Sequence, residues 1–249
     1  MKCNVVTLFP EMFSGFLNCG IVARAQKSGL LDCQFYNPRA FTDSRRHDVD
    51  DRPYGGGPGM VMQVEPLRAA ISAAKASSPS SAKVVYVAPE GKRLNTEMAR
   101  QLASEPGVVF VSGRYEGIDQ RIIDQDIDEI ISIGDYVLTG GELPIMVLID
   151  AMVRWLPGAL GDEASKLEDS FTSENKGLLD CPHYSRPPLI DGQAVPTVLL
   201  SGDHAAIEKW RQKQKLGKTW QLRPDLLEKA SLDKEDLILL NEFKSECET

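Results

Sequence analysis

Four short apolar runs, rich in β-branched residues, constrain the fold more than anything else in the chain. They are Val5-Val6-Thr7-Leu8-Phe9, Val84-Val85-Tyr86-Val87, Val108-Val109-Phe110-Val111 and Ile127 to Ile133. Their apolar residues are largely continuous rather than alternating, the pattern of strands covered on both faces. Each run stops at a turn former: Pro10, Pro89-Glu90-Gly91, Ser112-Gly113 or Gly134. Between the second and third, Asn95 to Ser104 reads as a helix with Asn95 as its N-cap. Buried strands separated by helices make a parallel sheet, so the predicted class is α/β.

Several classes of protein fall away. The longest apolar run, Leu143 to Ile149, ends at Asp150, far short of a membrane span. The N-terminus reaches Glu11 too soon for a secretory signal. Five scattered cysteines (Cys3, Cys19, Cys33, Cys181, Cys247) with no C-x-x-C pair predict a reduced, cytoplasmic protein without a disulfide framework. His47, His183 and His204 are too dispersed to suggest a metal cluster, and no metal site is predicted. The net charge of −8 means that any RNA partner needs a local basic patch.

In open α/β sheets ligands sit beyond the carboxyl ends of the strands. Here those ends are Pro89-Glu90-Gly91, Gly113-Arg114-Tyr115-Glu116-Gly117 and Gly134-Asp135-Tyr136. One such loop is only a turn, but several at successive strand ends predict a shared pocket. The third continues through Val137-Leu138-Thr139-Gly140-Gly141 into a helix expected from about Glu142 to Leu156. A loop of this kind offers backbone N–H and C=O groups to a flat ligand sandwiched by Ile133 and Leu138, which suits adenine. Familiar nucleotide and hydrolase motifs fail. Gly217-Lys218-Thr219 lacks the glycine a P-loop needs at Gln212, and Met60 sits where a dinucleotide fingerprint requires glycine. No H-E-x-x-H or G-x-S-x-G motif is present.

Ala159 to Asn175, poor in bulky residues, reads as a linker or mobile loop. From Asp203 onward the composition is helical. Between Lys209 and Arg223 lie six basic residues and no acid, with Trp210 and Trp220 interleaved. The cluster is either a solvated helical face or a set of phosphate contacts, with the tryptophans read as core. The run Gly55-Gly56-Gly57-Pro58-Gly59 either lets backbone approach a base closely or forms a structural turn at an interface between subunits.

Four motifs carry a resemblance: Phe9-Pro10-Glu11-Met12-Phe13, Asp50 to Met62, Gly113 to Asp119, and Ile133 to Glu142. With His183-Tyr184-Ser185-Arg186-Pro187 they resemble, in order and over essentially the whole chain, the TrmD family of bacterial tRNA (guanine-N1-)-methyltransferases, within the SPOUT methyltransferases. The resemblance implies a SPOUT-type parallel sheet with a deep trefoil knot on the C-terminal side of its first domain, and a small, mainly helical C-terminal domain. Residues 1–158 would form the knotted S-adenosyl-L-methionine domain, 159–175 a mobile interdomain linker, and 176–249 a tRNA-binding domain. It further implies a homodimer with the active site at the subunit interface, and methyl transfer to N1 of guanine 37 of tRNA. A SPOUT enzyme acting on another RNA, or on a ribose hydroxyl, is the nearest alternative. A non-catalytic RNA-binding protein is the next, and an oxidoreductase is weakened by the missing fingerprint.

Residue roles follow from the same resemblance. The donor site comprises Tyr86, Pro89, Gly113, Glu116, Ile133, Gly134, Asp135, Tyr136, Val137, Leu138, Gly140, Gly141 and Pro144. Asp169 is the base for the guanine N1 proton, a role set against that of a solvated acid in a polar loop. Arg154 is a cation near guanine O6, set against a surface ion pair with Asp150. From the basic run and the glycine run themselves, rather than from the resemblance, Gly59, Lys209, Arg211, Lys213, Lys215, Lys218 and Arg223 are the candidate RNA contacts, with salt-sensitive affinity and a flipped target base expected. Mg²⁺ is compatible with the family, although no carboxylate spacing marks a site for it.

Overall fold

All four apolar runs contribute to one five-stranded parallel sheet. In chain order the first unit contains β1 (Lys2–Val6), α1 (Ser14–Leu17), α2 (Gly20–Lys27), β2 (Asp32–Tyr36), β3 (Asp50–Asp51), β4 (Val61–Met62) and α3 (Val64–Ala76). Then come β5 (Lys83–Arg93), α4 (Thr96–Ser104), β6 (Gly107–Ser112), α5 (Gln120–Asp126), β7 (Glu129–Ser132) and α6 (Glu142–Val153). The sheet order is β2-β1-β6-β5-β7, with every neighbouring pair parallel. This computed structural model describes residues 1–161 and 165–247, and the chain divides into units spanning Met1–Gly161 and Asp162–Thr249.

The reason for the continuous apolar runs is visible in the packing. Val85, Val87, Val108 and Phe110 face a core shared with α2, α4 and α6, including Val22, Leu102, Leu148 and Ile149. Their neighbours Val84, Tyr86, Val109 and Val111 face the opposite core, shared with Leu67 and Ile71 of α3 and Ile122 of α5. Burial on both faces is what a parallel sheet requires. The predicted helix after Asn95 is α4, and the Asn95 side chain accepts from Met98 N at 2.9 Å as its N-cap.

One irregularity interrupts the pairing of β5 with β7. Ile131 of β7 pairs with both Val87 and Lys92 of β5, so the residues between them leave the ladder. Gly91 lies over the Ile130–Ile131 backbone, where a Cβ would come within 2.5 Å of main-chain atoms. A side chain there would force the two strands apart, which is why glycine occupies the position.

The second unit is described by itself. It holds α7 (Ser165–Glu168), the hairpin of β8 (Leu189–Ile190) and β9 (Gln193–Ala194), α8 (His204–Leu222), α9 (Pro224–Leu227) and α10 (Lys234–Cys247). Leu178, Leu216, Leu239 and Leu240 form its core, with Trp220 packed against them. Part of the stretch read as a linker, residues 162–164, lies outside the described residues. The rest carries local pins: Thr172 Oγ1 donates to the Leu167 and Asp169 carbonyls at 2.8 and 2.9 Å, and Asn175 Nδ2 to that of Leu178 at 3.1 Å. Among the described residues no helix is long and apolar enough to cross a membrane.

Candidate active site

The loops leaving β5, β6 and β7 enclose a cleft of about 420 Å³, within the range of small-molecule sites. Its walls come from Tyr86 to Glu90, Gly113 to Ile118, and Ile131 to Gly141, with Pro144 at the start of α6. Every residue expected at the donor site lines it except Asp135, which is exposed in the same loop. Tyr136, Val137 and Leu138 are exposed at 54%, 85% and 39%, an apolar rim that a flat ligand or another protein surface would cover.

The glycines of these loops are required by space as much as by backbone angle. Gly141 has φ −81°, which any residue adopts. Yet a Cβ there would lie 2.9 Å from Ser112 Cα and 3.2 Å from Gly113 N, and its own N–H donates to the Gly113 carbonyl at 3.0 Å. At Gly113 a Cβ would meet the Tyr86 hydroxyl at 2.7 Å. The three loops therefore touch through glycine, leaving the cleft lined by main chain. Gly141→Ala is expected to cost about 1–3 kcal/mol of stability through overpacking and to weaken ligand binding in the cleft. A urea midpoint equal to that of the parent chain would show that the crossing has slack.

Tyr86 belongs at once to the sheet core and to the cleft wall. Burial, and then the charge of Glu90, push its phenol up to about 12. It therefore stays neutral and can act only as an apolar wall with a hydroxyl.

A buried charge network that the sequence did not announce braces the same loops. Glu142, fully buried at the first position of α6, accepts from Thr7 Oγ1 at 2.8 Å, and Thr7 Oγ1 in turn accepts from Phe9 N at 3.0 Å. Arg114 Nη2 approaches Glu142 Oε2 at 2.8 Å, an ion contact that falls short of hydrogen-bond geometry. Arg114 Nη1 donates to the Thr139 carbonyl at 3.0 Å, and the guanidinium lies 4.5 Å from the Phe9 ring centroid. Arg114 and Thr139 both line the cleft. The ends of β1 and β6 and the loop after β7 are thus tied together beneath the ligand-binding surface.

The glycine-rich run meets this site at one residue. A Cβ on Gly59 (φ +86°) would collide with the Glu116 carboxylate, and Glu116 N donates to the Met60 carbonyl at 2.9 Å. Gly55, Gly56 and Gly57, also at positive φ, have open space around them. The run therefore combines a backbone seat for Glu116 with an exposed tip carrying the fully exposed Tyr54.

The remaining predicted residues lie elsewhere. Arg154 caps the C-terminal end of α6, ten residues beyond Pro144, about 15 Å of helix at the usual rise. Asp169 follows α7 in the second unit, half-buried, in the turn pinned by Thr172. The basic cluster lies along α8 and just past it. Its charges are largely partnered: Arg211 with Glu208, Lys213 with Glu246 and Arg223 with Asp225, at 2.7, 2.7 and 2.8 Å. Lys218 donates to the Asp180 carbonyl at 3.1 Å. Trp220 is core, as expected, and Trp210 lies beside Tyr184 with ring centroids 6.3 Å apart.

Comparison with known proteins gives a consistent picture. A family model described as tRNA (Guanine-1)-methyltransferase TrmD matches residues 1–229. The tRNA (guanine-N(1)-)-methyltransferase of Marinomonas sp. (strain MWYL1) is 56% identical over 248 residues, covering 100% of this chain and 98% of that protein. The enzymes of that name from Salmonella paratyphi C (strain RKS4594) and Serratia proteamaculans (strain 568) are 55% and 54% identical. They cover 99% and 100% of this chain, and 95% and 96% of their own lengths.

Proposed function

The chain belongs to the TrmD family of tRNA (guanine-N1-)-methyltransferases, and from that premise we propose that it transfers a methyl group from S-adenosyl-L-methionine to N1 of guanine at position 37 of tRNA, beside the anticodon. The observation that carries this reading is the glycine-lined cleft at the carboxyl ends of β5, β6 and β7. Its residues fit the donor. Tyr86, Ile133 and Leu138 offer apolar surface to an adenine, main chain freed by Gly113, Gly140 and Gly141 offers hydrogen bonds, and Glu116 offers a carboxylate to a cationic end. Bound there, the donor supplies an electrophilic methyl group on a sulfonium.

The chain supplies the rest. Neutral guanine has a proton on N1, and Asp169 takes it, so that a lone pair faces the methyl group. The charge left on the base spreads to O6, where the Arg154 guanidinium stabilises it. In one chain Arg154 and the cleft belong to opposite ends of α6, which supports a homodimer with each active site shared across the subunit interface. Leu143 and Val147, exposed at 50% and 46% one turn apart on α6 beside the apolar rim, supply a surface for that contact. The loops that touch through Gly91, Gly113 and Gly141 support a chain threaded as a trefoil knot, a rare exception to unthreaded connections.

The second unit would bind tRNA through Lys209, Arg211, Lys213, Lys215, Lys218 and Arg223. Exposed ion pairs such as Arg211–Glu208 are worth roughly 1 kcal/mol or less, so phosphates can replace their carboxylates. A tRNA substrate supports a cytoplasmic location. For Mg²⁺, among the described residues no group of three or more acidic, Cys or His donors is drawn from the cleft lining, so no residues are assigned to it.

Residues 159–175 would order over the cleft only when donor and tRNA are both bound, bringing Asp169 to the base. Protease cutting within this stretch is expected to slow several-fold with both ligands together, and to change little with either alone. Equal cutting under all conditions would remove the ordering step. The reading as a whole is tested by methyl transfer from labelled donor to unmodified tRNA carrying guanine or adenine at position 37. Transfer to the guanine form alone, located at N1 by mass spectrometry, is the expected result. Donor binding without transfer to tRNA would redirect the assignment to another RNA.

A further inference from the structure

The second unit gathers three chemically different metal donors. A carboxylate oxygen of Asp180, the thiol of Cys181 and an imidazole nitrogen of His183 all lie within 4.8 Å of one another. The segment that carries them is fixed on both sides. Leu179 N donates to Thr219 Oγ1 at 2.9 Å, Lys218 Nζ to the Asp180 carbonyl at 3.1 Å, and Asp180 N to Ser170 Oγ at 2.9 Å. Cys181 is buried, whereas the His183 side chain is 76% exposed and leaves a path in from solvent. Asp180 Oδ2 lies 2.7 Å from His183 Nε2, and Oδ1 accepts from Cys181 N at 2.7 Å. A histidine held by its carboxylate in this way is already oriented.

We propose that Asp180, Cys181 and His183 form a binding site for a borderline-soft divalent cation of the Zn²⁺ type, with water in the fourth position. The donor set decides the class of ion. Ca²⁺ and Mg²⁺ need a cage of oxygens, and one carboxylate does not provide it. One sulfur, one imidazole and one carboxylate match tetrahedral zinc, with bonds near 2.0–2.3 Å. In such a tetrahedron the donors lie about 3.5 Å apart. The His183–Asp180 contact must therefore open by less than about 1 Å, and the widest gap must close by little more.

The bland alternative is that Asp180 merely caps a turn and His183 is its hydrogen-bond partner. Cobalt(II) separates the two. The full chain, stripped with a chelator, is titrated with Co²⁺ under reducing conditions, followed by Zn²⁺ competition. Saturation at one ion per chain is expected, with a thiolate-to-cobalt charge-transfer band in the near ultraviolet and visible bands of tetrahedral intensity, all abolished by Zn²⁺. Cys181→Ser should lose the charge-transfer band. His183→Ala, at an exposed position that leaves the core intact, should weaken binding at least tenfold. Absence of saturable binding in the parent chain, or binding that both variants leave unchanged, would overturn the proposal, the latter by assigning the metal to other residues. Circular dichroism of each variant keeps loss of fold apart from loss of a ligand.

Discussion

Replacing Asp169 with alanine is expected to lower single-turnover methyl transfer by roughly 10²–10⁴-fold, the usual contribution of a general base, while donor affinity stays within about threefold. Chemistry demands the base. N1 of neutral guanine presents a proton, not a lone pair, and an electrophilic methyl group cannot be captured until that proton leaves. In the second unit Asp169 follows α7, and its carbonyl accepts from Thr172 Oγ1 at 2.9 Å. Glu168 is the internal control. It is exposed, one residue away and of equal charge, so Glu168→Ala should retain most of the activity if position rather than local charge matters. Asp169→Asn keeps the shape and removes the basicity, and should be nearly as slow as alanine. Turnover within a few-fold of the parent chain in both Asp169 variants would take this residue out of the mechanism.

How much of this was legible beforehand depended on range. The central strands were readable because burial on both faces leaves no polar positions, as in Val108 to Val111. β2 was not. It is an edge strand whose Asp32-Cys33-Gln34-Phe35-Tyr36 is only partly buried and shows no apolar run. The cleft was readable from glycines at successive strand ends, since a tight loop must advertise itself in local sequence. The basic cluster looked more strongly charged than it is. Its neutralising acids sit just outside the window, at Glu208 and Asp225, or 33 residues on, at Glu246. The proximity of Asp180, Cys181 and His183 was not visible beforehand, because their donor atoms come within 4.8 Å of one another only through the local fold. The Thr7–Glu142 contact spans 135 residues, and no spacing rule reaches that far. A trace was nonetheless present: a carboxylate directly after two glycines opens a helix whose next seven residues, Leu143 to Ile149, are apolar.

That trace leads to the largest expected effect on stability. Glu142→Ala should cost about 3–5 kcal/mol, the range for removing one partner of a buried ion pair. The deletion leaves Arg114 only 17% exposed and without its counter-charge, and it strips Thr7 Oγ1 of its acceptor. Arg114 would then swing out towards solvent, abandoning the Thr139 carbonyl and the Phe9 ring and loosening the cleft wall. Donor affinity should therefore fall together with stability, a coupling that a remote core cavity would not produce. Glu142→Gln keeps the acceptor for Thr7 and loses the charge, so it should fall between. The double variant Arg114→Met with Glu142→Leu removes both charges and should recover much of the stability, because well-packed apolar replacements of buried pairs are often neutral or better. It should not recover donor binding, since Thr139 would still lack its brace. Urea midpoints and donor titrations on the four chains separate these outcomes. If Glu142→Ala cost less than about 1 kcal/mol, the value of an exposed pair, the network would not brace the crossing loops, and their order would have to come from the glycine contacts alone.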